Sequence, residues 1–226
     1  MNTVFRKEIK YLIPRRSALN LQRRLDPIME RDRYGDHGNY FIRSQYFDSL
    51  YDQDLADNLD GLYDKRKVRL RIYGLDAPSV KLEYKCKSGE DGVKYSLTIH
   101  REEALQMEQG DVSFLLRYHQ ELATRLYFRM TEGVYRPKAI IDYHRLAFAY
   151  PAGDVRITFD TDIRGAGYPY GLFDPISTPP LSSPEQVLME VKYTGFLPDE
   201  ICRILKQADD LSTSNSKYST ARLQYL

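Results

Sequence analysis

The sequence of 226 residues contains no tryptophan and only two cysteines, Cys86 and Cys202. Because cysteines so far apart form no metal-binding pair, we predict that both are reduced thiols in the cytoplasm. No stretch approaches the roughly 18 consecutive apolar residues that a transmembrane helix needs. The first residues include no apolar segment typical of a signal peptide. These absences predict a cytoplasmic protein with no membrane segment.

Neither sign of charge dominates, since 33 Lys and Arg residues face 32 Asp and Glu residues and the formal net charge is +1. A protein that coats nucleic acid draws its affinity from excess positive charge, so this balance excludes a general nucleic-acid coat but not a local basic site. The phosphate-binding pattern Gly-x-x-x-x-Gly-Lys-Ser/Thr is also absent from the sequence. The length is sufficient for a buried core, and we predict a single domain over residues 1–226.

Period-two and helical patterns together predict an α+β fold. The predicted strands cover 3–12, 39–48, 65–73, 79–87, 92–100, 137–150, 154–161 and 186–193. One predicted helix follows Pro14, and others cover 49–59 and 198–208. Residues 102–130 are predicted to form two further helices, with Asp111 capping the second. Residues 163–184, rich in Gly and Pro, are predicted to be a long loop, and residues 212–217 a polar tail.

The most informative pattern is charge that recurs at every second position of strand after strand. Lys67, Arg69 and Arg71 would lie on one face of their strand, opposite the apolar side chains between them. The other members of this charged set are Arg6, Glu8, Lys10, Lys81, Glu83, Lys85, Lys87, Lys94, Arg145, Arg156, Asp160, Glu190 and Lys192.

Two interpretations of the charged faces compete. They could form the solvated outer face of an antiparallel sheet, or the polar interior of a barrel whose apolar faces turn toward the helices. The second is favoured because helices need an apolar sheet face to cover. Abundant Arg and Lys suit a triphosphate or polyphosphate chain. A carboxylate among these cations, such as Glu8 or Glu83, would suit Mn²⁺ or Mg²⁺, which prefer oxygen ligands.

Several short motifs, taken together in their order and spacing, resemble the catalytic domain of the vacuolar transporter chaperone (VTC) family. These are polyphosphate polymerases of the CYTH, or triphosphate tunnel metalloenzyme, superfamily. The motifs are Arg6-Lys7-Glu8-Ile9-Lys10-Tyr11, Tyr46-Phe47-Asp48, Lys67-Val68-Arg69-Leu70-Arg71-Ile72-Tyr73, Leu82-Glu83-Tyr84-Lys85, Tyr143-His144-Arg145, Val155-Arg156-Ile157-Thr158-Phe159-Asp160, Leu188-Met189-Glu190-Val191-Lys192-Tyr193 and Ser216-Lys217-Tyr218-Ser219. The resemblance implies an antiparallel β-barrel, or tunnel, of about eight strands with flanking helices.

The resemblance also implies roles for individual residues. The basic residues that it implies for catalysis or phosphate binding are Lys10, Arg69, Arg71, Lys85, Lys94, Arg145 and Lys217, with Arg6, Arg156 and Lys192 as further substrate-binding candidates. It implies Glu190 as the ligand of Mn²⁺ or Mg²⁺, with Glu8 and Glu83 as additional candidates.

The implied reaction is transfer of the terminal phosphoryl group of ATP to a polyphosphate chain. Arg6 stands where the hydrolytic members of the superfamily carry a glutamate, which favours the polymerase branch. Two alternatives stay open. One is a triphosphatase or nucleotidyl cyclase that uses the same tunnel. The other is a non-catalytic module that binds polyphosphate or nucleic acid.

Overall fold

The computed structural model describes residues 6–32, 38–89, 91–206 and 216–225. The strands are β1 (Arg6–Pro14), β2 (Glu30–Arg31), β3 (Asn39–Asp48), β4 (Asp64–Ile72), β5 (Ser79–Ser88), β6 (Asp91–His100), β7 (Arg136–Tyr150), β8 (Val155–Gly167) and β9 (Gln186–Thr194). The α-helices are α1 (Arg15–Leu25), α2 (Gln53–Leu59), α3 (Arg101–Glu108), α4 (Glu121–Glu132), α5 (Asp199–Leu205) and α6 (Lys217–Gln224). Short 3₁₀ helices cover Ser113–Arg117 and Ala152–Asp154.

Hydrogen bonding places the strands in the order β1-β9-β8-β7-β3-β4-β5-β6, and the two-residue β2 pairs with β7. The pairs with a defined register are antiparallel. The predicted class is therefore confirmed as an α+β fold built on an antiparallel sheet with flanking helices. Within the described ranges, no helix combines the length and the apolar character that crossing a bilayer requires.

The chain forms two compact units, each assembled from separate segments. The first unit comprises Met1–Ile42, Asp142–Arg164 and Pro180–Ser216, and the second comprises Arg43–Ile141, Gly165–Pro179 and Lys217–Leu226. The single domain over residues 1–226 stays a prediction.

The core of the first unit lies between α1, α5 and one face of the sheet formed by β1, β8 and β9. Helix α1 begins after Pro14, whose φ of −59° and ψ of 145° lie outside the helical range. It ends at Leu25, and Asp26 separates it from Pro27. Its buried residues are Ala18, Leu21 and Leu25, at helical spacing. The strands contribute alternate apolar residues to the same core: Ile13, Val155, Ile157, Phe159, Val187, Met189 and Val191.

The core of the second unit lies on one face of β4, β5 and β6, covered by α3 and α4. The strands contribute Val68, Leu70, Ile72, Val80, Leu82, Tyr84, Leu97 and Ile99, and the helices contribute Ala104, Met107, Ala123, Leu126 and Met130. Period two places the charged residues of these strands on the opposite face, as the sequence pattern predicts.

Three predicted boundaries were wrong. Strand β8 continues to Gly167, into the predicted loop, because Arg164 pairs with Pro180 and the Ile163 carbonyl accepts the Leu181 N–H at 2.9 Å. The second part of the 102–130 region divides into a 3₁₀ helix and α4, because the backbone of Tyr118 is extended. Residues 212–215 of the predicted polar tail lie outside the described residues, and its last residue, Lys217, begins α6, whose Tyr218 is only 2% exposed.

Candidate functional site

The charged face of the second unit brings together four strands, β3 to β6. In the register of β4 and β5, Lys67 lies directly opposite Lys85, and in that of β5 and β6 Lys85 lies directly opposite Lys94. Three lysines therefore form one row across three strands. Like charges directly opposite each other destabilise a sheet, so this lysine row is a feature that folding alone does not favour.

Glu83 is the centre of an ion-pair network beside the lysine row. Its Oε2 lies 2.6 Å from Arg69 Nε and 3.7 Å from Arg71 Nη1, and its Oε1 lies 2.8 Å from Lys94 Nζ. Burial raises the pKa of Glu83, but the charges of Arg69, Arg71 and Lys94 outweigh it and hold the pKa well below its usual range. Glu83 is therefore ionised, and both of its oxygens contact cations. Its predicted role as a metal ligand stays a prediction.

Strand β3 supplies polar partners to the two arginines. Arg69 Nη1 donates to the Tyr46 hydroxyl at 2.9 Å, and Arg71 Nε donates to Ser44 Oγ at 3.2 Å. Burial raises the pKa of Tyr46, yet the nearby Arg69 and Arg71 lower it overall. Arg71 is 7% exposed and Glu83 is 4% exposed, so a solvated outer face does not describe this part of the sheet.

The charged face of the first unit is arranged differently, with acids and bases alternating. In the register of β1 and β9, Glu8 is opposite Lys192 and Lys10 is opposite Glu190. Glu190 Oε2 lies 2.7 Å from Lys192 Nζ, and Glu8 Oε1 lies 3.4 Å from Lys10 Nζ. Burial lowers the pKa of Lys192, although Glu190 and Glu8 oppose this shift. These four side chains carry no net charge together.

Arg145 on β7 is held rigidly by a buried carboxylate. Its Nε lies 2.6 Å from Asp160 Oδ1 and its Nη2 lies 2.7 Å from Asp160 Oδ2, a two-point contact. Burial lowers the pKa of Arg145, but Asp160 outweighs it and the pKa lies well above its usual value. Arg145 Nη2 also lies 3.9 Å from Glu190 Oε2. The guanidinium is therefore charged and fixed in direction. Its predicted role in phosphate binding stays a prediction.

Arg156 on β8 makes contacts that the sequence pattern did not indicate. Its Nη2 donates to Asp32 Oδ2 at 2.5 Å and to the Tyr40 hydroxyl at 3.3 Å. Its Cα pairs with that of Lys192, so the two bases are cross-strand partners. The substrate-binding role of Arg156 stays a prediction.

A divalent cation would find oxygen donors around Glu190. Thr158 is the cross-strand partner of Glu190, and its Oγ1 is buried without a hydrogen-bond partner among the described residues. Glu8 lies diagonally from Glu190 on the same face of the β1–β9 pair. Carboxylate and hydroxyl oxygens suit Mn²⁺ or Mg²⁺, so this donor set fits the implied metal in its chemistry. Within the described parts of the chain, no group of three or more His, Cys, Asp or Glu residues is placed to hold a metal ion.

Two predicted residues lie near the ends of the described segments. Lys217 is the first residue of α6 and is half-buried, and its charge lowers the pKa of Tyr46. Arg6 begins β1, with its Cα paired to that of Thr194, and its side chain lies outside the described atoms.

Sequence patterns placed Asp160 on a charged face without identifying its partner, and they assigned no role to Ser44, Tyr46 or Thr158. Ser44, Tyr46, Asp160 and Thr158 all contact, or pair with, residues of the charged faces. Tyr46 and Asp160 lie within motifs of the family resemblance, but alternation alone does not show which charge each would meet. The register between strands decides those partners.

Comparison with known proteins agrees with this fold. One similar solved structure is that of a Bacillus halodurans protein provisionally named an adenylate cyclase, with 12% identity and a TM-score of 0.51. The match covers 95% of this chain and 94% of that one. A Vibrio parahaemolyticus protein with the same provisional name has 12% identity and a TM-score of 0.51, covering 97% of this chain and 98% of that one. At this identity the likenesses show a shared fold. No curated protein matches the sequence.

The sequence itself matches a family model over nearly its full length. The model is that of the VTC domain, and the match runs over residues 5–225. It includes every strand and helix described above, together with both charged faces. The chain therefore belongs to the VTC domain family.

Proposed function

We propose that this protein is a polyphosphate polymerase that transfers the terminal phosphoryl group of ATP to a polyphosphate chain. The observation that supports it most is the lysine row of Lys67, Lys85 and Lys94 beside Arg69 and Arg71. An anion that carries several charges along its length would relieve the repulsion within this row. A polyphosphate chain has that distribution of charge, and membership of the VTC family supports the same choice.

The basic residues would act by positioning and by neutralising charge. In the transfer, the bond between the terminal phosphorus of ATP and its bridging oxygen breaks, ADP leaves, and a terminal oxygen of the polyphosphate chain bonds to that phosphorus. No side chain has to act as a nucleophile. Fixed cations such as Arg69 and Arg71 would stabilise the charge that spreads over the transferred group. Lys85 and Lys94 hold the chain as point charges.

Glu190 and Glu8, with the Thr158 hydroxyl, would hold Mn²⁺ or Mg²⁺. When bound, the cation would screen the negative charges of the nucleotide phosphates from the incoming chain. Lys10 and Lys192, the cross-strand partners of these two carboxylates, would keep them oriented and would meet phosphate oxygens. ATP and polyphosphate are the proposed ligands, and the proposal includes no specific nucleic acid. The proposed location is the cytoplasm, where Cys86 and Cys202, both free thiols in the structure, would stay reduced.

A triphosphatase or cyclase is the second candidate, because proteins provisionally named adenylate cyclases share the fold. It differs from the polymerase in the nucleophile, which would be water or the ribose hydroxyl. A third possibility, a module that binds polyphosphate without turnover, would need no metal.

Product analysis separates these functions. The protein is incubated with ATP, Mn²⁺ and a short polyphosphate primer, and the products are sized on a gel while nucleotides are separated by chromatography. We expect the chains to lengthen, with one ADP released for each phosphate that is added. Orthophosphate or cyclic nucleotide without chain growth, over a range of metal and primer concentrations, would favour the second candidate. Tight primer binding without ADP release would favour the binding module.

A further inference from the structure

Tyr218 attaches α6 to the charged face of the second unit. The Tyr218 ring stacks on the Tyr46 ring at a centroid distance of 5.0 Å and an interplanar angle of 18°. Its hydroxyl donates to Asp48 Oδ2 at 2.6 Å. Tyr218 is 2% exposed, so its ring and its hydroxyl both make their contacts in the interior of the protein.

Asp48 is a rigid acceptor for that hydroxyl. Its Oδ1 accepts the N–H groups of Ser49 and Asp54 at 2.7 and 2.9 Å, and its Oδ2 accepts the Leu55 N–H at 2.9 Å. The carboxylate is completely buried at the start of α2. It therefore cannot follow a displaced tyrosine, and it determines the position of the Tyr218 ring.

The stacked tyrosine pair lies between two cations of the charged face. Arg69 Cζ is 5.7 Å from the centre of the Tyr46 ring, and Lys67 Nζ is 6.0 Å from the centre of the Tyr218 ring. Arg69 also donates to the Tyr46 hydroxyl. Aromatic faces attract cations at these distances. Lys217 precedes Tyr218 on the same helix, so the position of one determines the position of the other.

We propose that Tyr218 is a positioning residue for anion binding, which places Lys67, Lys217 and, through Tyr46, Arg69 for contact with a phosphate chain. This inference rests on the proposed function for the identity of the anion. It gives Tyr218 no contact with the anion or with the reacting atoms. A second attachment of α6 makes it testable: Arg222 Nη1 and Nη2 each lie 2.8 Å from Asp52. The helix can therefore stay docked when the tyrosine is replaced.

The test measures tripolyphosphate affinity by titration calorimetry without metal, with thermal melts to verify folding. We expect Tyr218→Leu, which removes the ring stack, to weaken binding by about tenfold. Tyr218→Phe keeps the stack and should restore affinity to within about threefold of the wild type. In an Arg69→Met background, the additional effect of Tyr218→Leu should shrink, because one of the groups it positions is gone.

Two controls separate positioning from docking. Arg222→Gln loosens α6 and removes a donor that lies 3.4 Å from the Tyr218 hydroxyl, but it leaves both rings of the stack in place. Tyr225→Phe removes the hydrogen bond to the Gly165 carbonyl at 2.9 Å on the same segment. Both should lower stability more than affinity. If Tyr218→Leu does not fold, Tyr46→Phe, which keeps the stack but removes the acceptor for Arg69, should also weaken binding.

The outcomes distinguish this inference from the proposed function. Wild-type protein that binds tripolyphosphate while Tyr218→Leu and Tyr46→Phe bind it equally well would overturn only the positioning role. Equal weakening by Arg222→Gln and Tyr218→Leu would do the same, since docking alone would then explain the effect. Wild-type protein that does not bind tripolyphosphate would overturn both.

Discussion

Lys67 and Lys85 are direct cross-strand partners in the β4–β5 pair, two like charges held opposite each other by backbone register. Such a pair costs about 0.2–1 kcal/mol of stability relative to a neutral pair. An anion bound across the pair would offset this cost. The pair therefore links stability to ligand binding.

The first prediction concerns Lys85→Met. Without an anion the substitution should raise the melting temperature, because it removes repulsion from both Lys67 and Lys94. Saturating tripolyphosphate should raise the melting temperature of the wild type by several degrees, since a ligand at about 100 times its Kd adds about 2.7 kcal/mol. The variant should show a smaller shift.

Arg125→Gln on α4 is the control, because Arg125 is 52% exposed and paired with Glu121, and this variant should leave the shift unchanged. A wild-type melting temperature that tripolyphosphate does not move would contradict the basic-face interpretation.

The second prediction separates metal binding from anion binding through Glu190→Gln. The change keeps the size of the side chain and removes its charge, so turnover at limiting Mn²⁺ should fall at least about tenfold. Metal-free binding of tripolyphosphate should persist or tighten, because a negative charge has left the face. Arg69→Ala should weaken both. Glu121→Gln on the surface of α4 is the matched control. Wild-type turnover by Glu190→Gln would exclude Glu190 as a metal ligand.

The third prediction tests the choice between polymerase and hydrolase. A hydrolase needs acidic groups that hold and activate water, and the family resemblance implies that Arg6 stands in place of one of them. Arg6→Glu should therefore shift the products from polyphosphate toward orthophosphate, measured as the ratio of the two per ADP formed. Lys7→Glu makes the same change of charge at the next position, on the opposite face of β1, and should leave that ratio unaltered. Equal effects of both substitutions would indicate a general charge effect.

The fourth prediction uses the lowered pKa of Glu83. Arg69, Arg71 and Lys94 stabilise the ionised form in the folded state, while the unfolded chain has the ordinary value of 4.5. The folded state thus binds fewer protons, so the free energy of unfolding should decrease as the pH falls below 4.5. Urea unfolding between about pH 7 and pH 3 measures this slope. Glu83→Gln should flatten it, and should cost about 3–5 kcal/mol at neutral pH by leaving Arg71 buried without its carboxylate.

The fifth prediction has the opposite sign and concerns Asp54. Burial raises its pKa from 3.8 to about 6, Arg129 opposes the shift and Asp48 adds to it. The folded state therefore binds more protons between these values, and this residue's contribution to stability should decrease as the pH rises from 3.8 to about 6. Asp54→Asn should remove that decrease. If the stability of Asp54→Asn changed with pH in this interval as that of the wild type does, the raised pKa of Asp54 would be contradicted.

Alternation along single strands was sufficient to predict which faces of β4 and β5 are charged, because side-chain direction depends only on local backbone geometry. It could not predict that Glu83 contacts three cations or that Asp160 holds Arg145. Those contacts depend on the register between neighbouring strands, which alternation within a single strand does not determine. The extension of β8 beyond Ile163 has the same origin, since its partner is Pro180. Helix α6 was missed because its buried residues, Tyr218, Ala221 and Arg222, lie within a polar segment and include no aliphatic side chain larger than alanine.

The lysine row also has a defined length. It crosses the strands instead of following one, so its members are separated by the distance between neighbouring strands, about 4.8 Å. An extended anion that lies along the row would cover about 10 Å at right angles to the strands. Orthophosphate covers only part of that length, and chains beyond it gain no further lysine from the row. Affinity should therefore rise steeply with the first phosphate units and then level off, which makes short chains the poorest primers.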